Sequence, residues 1–321
     1  MNLSTYASYF DVAIKSYAFP TSPVNLYEPL DYFLQLGGKR IRPLLTLISA
    51  ELFGSTKENA IHASLSVELF HNFSLIHDDI MDKAPLRRSQ PTVHTKWDDN
   101  IAILSGDVLL VKAYQELAKQ DSIHIAALLE VFNKTAVEVC EGQQMDMDFE
   151  VKEDVLLSDY IEMIRLKTSV LLGCALEMGA IIANTTDENR KLIYDFGQNI
   201  GLAFQLQDDI LDLFGDPEKF GKQIGGDIIS NKKTYLLLRA FELADEEQQQ
   251  ELRFMLSIVD SESKIAKAKQ LFIDLGVLED AKNIKLKYQE KAILSLESIN
   301  VEEGHKNVLT ALAEQLLNRE I

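Results

Sequence analysis

Two short acidic stretches are the parts of this chain best suited to chemistry. Ile76-His77-Asp78-Asp79-Ile80-Met81-Asp82 places three carboxylates in five positions, and Gln207-Asp208-Asp209-Ile210-Leu211-Asp212 repeats the pattern 130 residues later. Both follow apolar, helix-periodic sequence, in which residues four apart share a face. Asp78 therefore pairs with Asp82, and Asp208 with Asp212. Like charges at that spacing destabilise a helix by about 0.2–0.5 kcal/mol per pair. A hard divalent cation reverses the sign, because Mg2+ takes carboxylate oxygens, keeps several waters and bridges to phosphate-bearing ligands. One such cluster is usually a solvated helix end; two near-copies point to metal.

Each acidic stretch runs into a basic one. Lys83 to Lys96 carries Arg87, Arg88 and His94, and Gly215 to Lys233 carries Lys222, Gly225-Gly226-Asp227, Lys232 and Lys233. In a chain of net charge -18, cations beside carboxylates point to a phosphate group held between metal and direct contact. Nearer the start, Gly37-Gly38-Lys39-Arg40-Ile41-Arg42-Pro43 combines glycines that let a backbone approach a ligand with three cations able to grip a diphosphate. His71 precedes Asp78 by seven residues, two turns, and so shares its face. His77 lies roughly 100° round from Asp78 and reads as structural. Asp98-Asp99 reads as a capped helix start, and Asp146 and Asp148 read as solvated carboxylates.

The elements that position these residues are helices. No proline occurs between Pro91 and Pro217 or after Pro217, and proline is what breaks helix interiors. Apolar residues step at three and four, as in Ile161, Ile164, Thr168, Leu171 and Ala175. No sustained run alternates at period two. The pattern predicts helices near 2–18, 24–36, 42–53, 58–82, 98–119, 122–148, 156–183 and 187–214, then 232–243, 247–257, 261–274, 276–297 and 301–318. With no Ser/Gly-rich or Pro-rich linker, the expectation is one all-α domain over residues 1–321.

The bulk numbers exclude some classes. The acidic balance, with a pI of about 4.8, argues against a nucleic-acid partner and against tight docking on anionic lipid. No run reaches the ~18 apolar residues of a membrane span, and no basic start followed by an apolar block marks a secretory signal. Cys140 and Cys174 sit in apolar helical sequence and are expected to be buried thiols. The expected location is the cytoplasm.

Taken in order, these motifs resemble those of the trans-type isoprenyl (polyprenyl) diphosphate synthases across nearly the whole chain. The likeness rests on Gly-Gly-Lys-Arg-x-Arg-Pro at 37–43, the Asp motif at 78–82, Arg87-Arg88, Lys167-Thr168, Phe204-Gln205 with the Asp motif at 208–212, then Lys222, Gly225-Gly226-Asp227 and Lys232. The resemblance implies a helical bundle around a deep central cavity with the Asp motifs facing across its mouth, usually in a homodimer. It implies a prenyltransferase that condenses isopentenyl diphosphate with an allylic diphosphate, using about three Mg2+ ions. By position, Asp78, Asp82 and Asp208 would hold metal, with Asp79, Asp209 and Asp212 assisting. Arg87, Lys167, Thr168, Gln205, Lys222 and Lys232 would contact the allylic diphosphate. Lys39, Arg42, His71 and Arg88 would hold isopentenyl diphosphate.

Two departures from the family pattern stand out: Ser89 where glycine usually follows the Arg pair, and Ser230-Asn231 where Glu-Gly often precedes the late lysine. Neither removes a charged ligand. For product length, the resemblance makes Phe73 and Ser74, five and four residues upstream of Asp78, the cavity floor, with Phe70 contributing. One aromatic and one small residue there resemble geranylgeranyl (C20) synthases, with farnesyl (C15) or longer products as alternatives. Ideal helical spacing puts Ser74 under Asp78 but Phe73 off that face. A class I terpene cyclase and a non-catalytic synthase subunit are the competing readings. Both intact Asp motifs, together with Lys39, Arg42 and His71, speak against them.

Overall fold

The computed structural model describes residues 3–216 and 224–317; Lys222 lies outside them. The helices run Leu3–Lys15 (α1), Val24–Gln35 (α2), Ile41–Leu52 (α3), Lys57–Met81 (α4), Val93–Lys96 (α5), Asp99–Leu117 (α6), Ser122–Val151 (α7), Leu157–Ile164 (α8), Val170–Ile182 (α9) and Asp187–Phe214 (α10). Then come Gly226–Ile229 (α11), Tyr235–Leu243 (α12), Glu246–Ser257 (α13), Ser261–Asp274 (α14), Val277–Ser298 (α15) and Glu303–Leu317 (α16). The all-α class is as the sequence implied, and each predicted helix is present within a few residues of its expected ends. Among the described residues, the sole sheet is a two-stranded hairpin of Leu86–Arg87 (β1) and Gln90–Pro91 (β2). No helix among the described residues is long and apolar enough to cross a membrane.

The chain packs as two compact units. The first draws its described residues from Met1–Lys134, Leu171–Tyr194 and Ile299–Leu309; the second draws on Thr135–Val170, Asp195–Ser298 and Thr310–Ile321. Four of these boundaries fall inside helices, in α7, α9, α10 and α16, with no linker there.

In the first unit α4 is the central helix. Residues 63–70 are buried without a break, so this stretch is covered on every side rather than on one stripe. Its start is capped by Thr56, whose side chain accepts from the Asn59 amide. α4 packs most extensively against α6 and then α3. α9 seats closely on α3, since a Cβ on Gly179 would lie 2.3 Å from the Thr46 carbonyl oxygen. Asp98 caps α6 by accepting from the Ile101 amide at 2.8 Å, as the sequence predicts.

The second unit gathers Phe149, Tyr160, Ile164, Leu206, Ile210, Leu236, Leu252 and Phe272 into one core. The expected helix 156–183 is not uniform there. Between α8 and α9 the backbone widens into a π-turn at Arg165–Ser169, and two helix glycines pack directly on it. A Cβ on Gly142 of α7 would meet the Lys167 backbone nitrogen at 2.3 Å, and one on Gly201 of α10 would meet the Ser169 Cα at 2.6 Å. Of the two cysteines, Cys174 is buried as expected, whereas Cys140 is exposed. It lies on the exposed side of α7 together with Val137, while the adjacent Val139 is buried.

Candidate active site

The first unit joins an acidic helix end to a cluster of cations. Asp78 is partly buried and Asp79 almost fully buried, while Asp82, at the C-terminal end of α4, is exposed. The hairpin carries Arg87 back over them. Its Nε donates to both Asp79 oxygens at 2.8 Å, and Nη2 reaches Asp78 at 3.3 Å. Burial raises the Asp79 pKa from its ordinary value, with Arg87 opposing. The inner carboxylate is thus tied most tightly to the protein, Asp78 is partly buried under the same arginine, and Asp82 is the exposed carboxylate of the motif.

Arg42 donates from Nη1 to His71 Nε2 at 3.1 Å, so that ring nitrogen carries no proton. Burial, then the charges of Arg42, Arg88, Arg87 and Arg40, hold the His71 pKa well below its usual value. Burial pushes Arg42 down to about 10. Arg88 is lowered by the same cause and by Arg40. Its guanidinium lies on Gly38, where a Cβ would come within 2.7 Å of it and where φ is +134°. This is the close backbone approach the paired glycines allow. The structure thus brings Arg42, His71 and Arg88 together beside an acidic motif, with Glu68 and Asp79 as the nearby opposing charges. Lys39 is exposed at the same loop.

Arg40 belongs to a different group. It sits at φ +50°, donates to the Leu34 carbonyl at 2.6 Å and forms an ion pair with the buried Glu68. Its guanidinium is committed to holding the loop against α4, so the expected three-cation grip reduces to Lys39 and Arg42.

Lower on α4, Phe73 shares a stripe with Phe70 and His77 rather than with Asp78, as ideal spacing implied. Ser74 turns its hydroxyl onto the His71 carbonyl at 2.9 Å.

The second unit repeats the division between inner and outer carboxylates. Asp209 is buried, accepts from the Tyr160 hydroxyl and, at 3.4 Å, from Gln205. Burial first, and then the Asp227 charge, push its pKa up to about 8. Asp208 and Asp212 remain partly exposed on one face. The Gly225-Gly226-Asp227 turn docks on Asp212, whose carbonyl accepts from Gly225 at 2.6 Å and whose carboxylate accepts from the Asp227 amide at 3.1 Å.

Lys167 and Thr168 project from the π-turn, with Thr168 bonded to Gln205 at 3.4 Å. The Lys167 and Lys232 ammonium groups meet on one oxygen of Asp146, at 2.6 and 3.3 Å. Those two cations hold the Asp146 pKa below its ordinary value against the effect of burial. Asp146 is therefore not the solvated carboxylate the sequence predicts, whereas Asp148 is exposed. Sequence reasoning also passes over Tyr160, Gly142 and Gly201. The signal for the glycines is their place inside helices, where each costs about 1 kcal/mol relative to alanine.

Among the described residues no three carboxylates converge into a preformed metal cage. The donor set nevertheless fits Mg2+, which is bound through one or two carboxylates with water and substrate phosphate completing its shell. Asp78 with Asp82, and Asp208 with Asp212, offer that in each unit.

Carboxylate pairs at helical spacing, guanidinium and ammonium groups massed beside them, and an all-helical scaffold define an enzyme that handles phosphorylated ligands with divalent metal. The polyprenyl synthetase family profile matches residues 23–275. A geranylgeranyl diphosphate synthase from Methanosarcina mazei is 35% identical over 98% of this chain and 96% of its own length. A geranylfarnesyl diphosphate synthase from Aeropyrum pernix is 35% identical over 90% of this chain and 92% of its own. The crystal structure of a geranylgeranyl pyrophosphate synthase superposes with a TM-score of 0.94 at 46% identity, covering 100% of both chains. The chain belongs to the polyprenyl synthetase family and is a trans-prenyltransferase. Prenyl diphosphate synthases as a family use Mg2+.

Proposed function

We propose that this protein condenses isopentenyl diphosphate with an allylic diphosphate and that geranylgeranyl diphosphate (C20) is its main product. The observation that carries the reading is the crowding of Arg42, Arg88 and neutral His71 beside the Asp78–Asp82 motif. Such a cluster stabilises a dense anion such as a diphosphate.

In this reading Lys39, Arg42, His71 and Arg88 bind isopentenyl diphosphate. Arg87, Lys167, Thr168, Gln205 and Lys232 bind the allylic diphosphate, and Lys222 joins them by family position. Asp78, Asp82 and Asp208 would hold Mg2+, with Asp212 assisting, while Asp79 and Asp209 brace their neighbours. When bound there, Mg2+ would supply Lewis-acid stabilisation to the departing pyrophosphate. The lysines and arginines neutralise the same charge as the allylic C–O bond breaks. The double bond of isopentenyl diphosphate then forms the new C–C bond, and a proton passes to pyrophosphate. No protein nucleophile takes part.

The C20 product is supported by the Methanosarcina relative's name and by one aromatic, Phe73, next to a small Ser74. C15 and longer products are the alternatives, the latter represented among the relatives by a geranylfarnesyl synthase. A homodimer is part of the proposal, supported by exposed Ile103, Leu104 and Val111 along α6. Its location is the cytoplasm.

The test is incubation of purified protein with Mg2+, isopentenyl diphosphate and farnesyl diphosphate, followed by chromatography of the products. A C20 diphosphate is expected. Folded protein that makes no longer prenyl diphosphate from any allylic primer would contradict the reading.

A further inference from the structure

Gly106 sits buried in the middle of α6, where glycine costs about 1 kcal/mol relative to alanine. Its neighbour explains it. A Cβ on Gly106 would lie 2.4 Å from His77 Nε2 and 2.5 Å from Cδ2, so the imidazole of α4 occupies the notch that the missing side chain leaves. Nε2 also lies 3.1 Å from the Ile103 carbonyl, one turn earlier on α6, a bond in which the ring donates. The Nε2 edge of the ring is therefore held on α6 both by shape and by a hydrogen bond.

The face of His77 turned along α4 meets Phe73. The two rings are edge-to-face with centroids 4.7 Å apart. Phe73 in turn contacts Phe70 at 5.6 Å, Phe70 contacts Phe132 at 5.3 Å, and Phe132 contacts Tyr114 at 5.1 Å. Tyr114 ends the row by donating to Asn133 at 2.7 Å. Phe70 is fully buried within this row, while Phe73 is partly exposed. Phe73 is thus a ring held between a packed aromatic below and a pegged imidazole above.

We propose that His77, seated in the Gly106 notch, is a positioning residue that fixes Phe73 and thereby sets product length. This rests on the reading of Phe73 as the floor that stops chain growth. The helix pair α4–α6 sets the height of that floor, and Gly106 is the position where the register is locked. His77 touches no substrate in this account; it acts through the Phe73 ring.

The experiment measures product chain lengths at equal conversion for the wild type and for Phe73→Ala, His77→Ala, Gly106→Ala and the Phe73→Ala/His77→Ala double variant. Phe73→Ala lengthens the product. His77→Ala raises the ratio of longer product to C20 by roughly two- to tenfold, the range set by the loss of one edge-to-face aromatic pair. Gly106→Ala, which expels the imidazole while leaving it in the chain, shifts the ratio the same way. It keeps the test alive should His77→Ala fold poorly. The double variant matches Phe73→Ala alone, because His77 has nothing left to hold.

An unshifted product from Phe73→Ala overturns the floor itself. A shift in Phe73→Ala with none in His77→Ala or Gly106→Ala leaves the floor standing and overturns the peg. So does a double variant whose shift is the product of the two single ones. A merely structural role for His77 lowers turnover without moving the ratio.

Discussion

Gly142→Ala sets two effects of opposite sign against each other. In an ordinary helix interior the change gains about 1 kcal/mol of propensity. At Gly142 the new carbon would lie 2.3 Å from the Lys167 nitrogen and 2.8 Å from the Leu166 carbonyl carbon and Lys167 Cα. Ordinary contact starts at 3.4 Å, so the shortfall is 3.4 - 2.3 = 1.1 Å. All three atoms are backbone, and no rotamer change relieves them. Overpacking of this kind costs about 1–3 kcal/mol, which outweighs the propensity gain. The turn that must retreat carries Lys167 and Thr168, and misplacement by about 1 Å costs on the order of 10²-fold in rate. Thermal melting and steady-state kinetics with an allylic diphosphate measure the two consequences. Gly304→Ala is the control, since its Cβ meets nothing within 4 Å and leaves turnover unchanged. A Gly142→Ala protein more stable than wild type, with turnover within about twofold, would refute the close seat of the π-turn on α7.

Asp146→Asn removes the charge on which two ammonium groups meet. Distances of 2.6 and 3.3 Å to one oxygen put their nitrogens at most ~6 Å apart, where their repulsion is ~3 kcal/mol at an effective dielectric of 20. Because both lysines are partly exposed, solvent screening leaves about half of that, and kcat/KM for the allylic diphosphate falls about tenfold; an unchanged value shows that the lysines hold their places unaided. Ser89→Gly raises stability by roughly 0.5–1 kcal/mol, because Arg88 and Ser89 form the hairpin turn at φ +53° and +63°, where glycine is favoured. A urea midpoint below that of wild type would count against this. His71 is held below its ordinary pKa, so the unfolded chain binds its proton first. Stability therefore falls as pH drops below about 6.5, by at most about 1.4 kcal/mol per unit. His71→Gln flattens that slope, and equal slopes in the two proteins would exclude His71 as its source.

The helices were legible because proline absence and three-four spacing report backbone state directly, and α4 and α10 appear close to their expected ends. The Asp motifs were legible for a related reason: carboxylates at i and i+4 cost energy unless something uses them. Their internal division was not. That Asp79 is bound by Arg87 and Asp209 by Tyr160 depends on partners 8 and 49 residues away, which no local pattern encodes. The role of Asp146 escapes the local sequence for the same reason, as its two lysines arrive from the π-turn and from the segment before α12. Arg40 shows the converse. Its company in the Gly-Gly-Lys-Arg-x-Arg-Pro run pointed to a ligand, yet a buried Glu68 claims it.

The cationic hairpin has its own optical label. Trp97 is the single tryptophan of the chain, and it packs edge-on to Tyr32 at 5.3 Å with the Lys96 ammonium 4.8 Å above its ring. Tyr32 in turn donates to the carbonyl of Pro91 in β2 at 2.7 Å, which links the indole to the strand paired with Arg87. Light absorbed selectively by indole is therefore emitted from one place, joined by a ring contact and a hydrogen bond to the hairpin that carries the arginines of the proposed reaction. Emission from the native protein becomes a site-resolved titration signal, with no dye attached and no residue replaced.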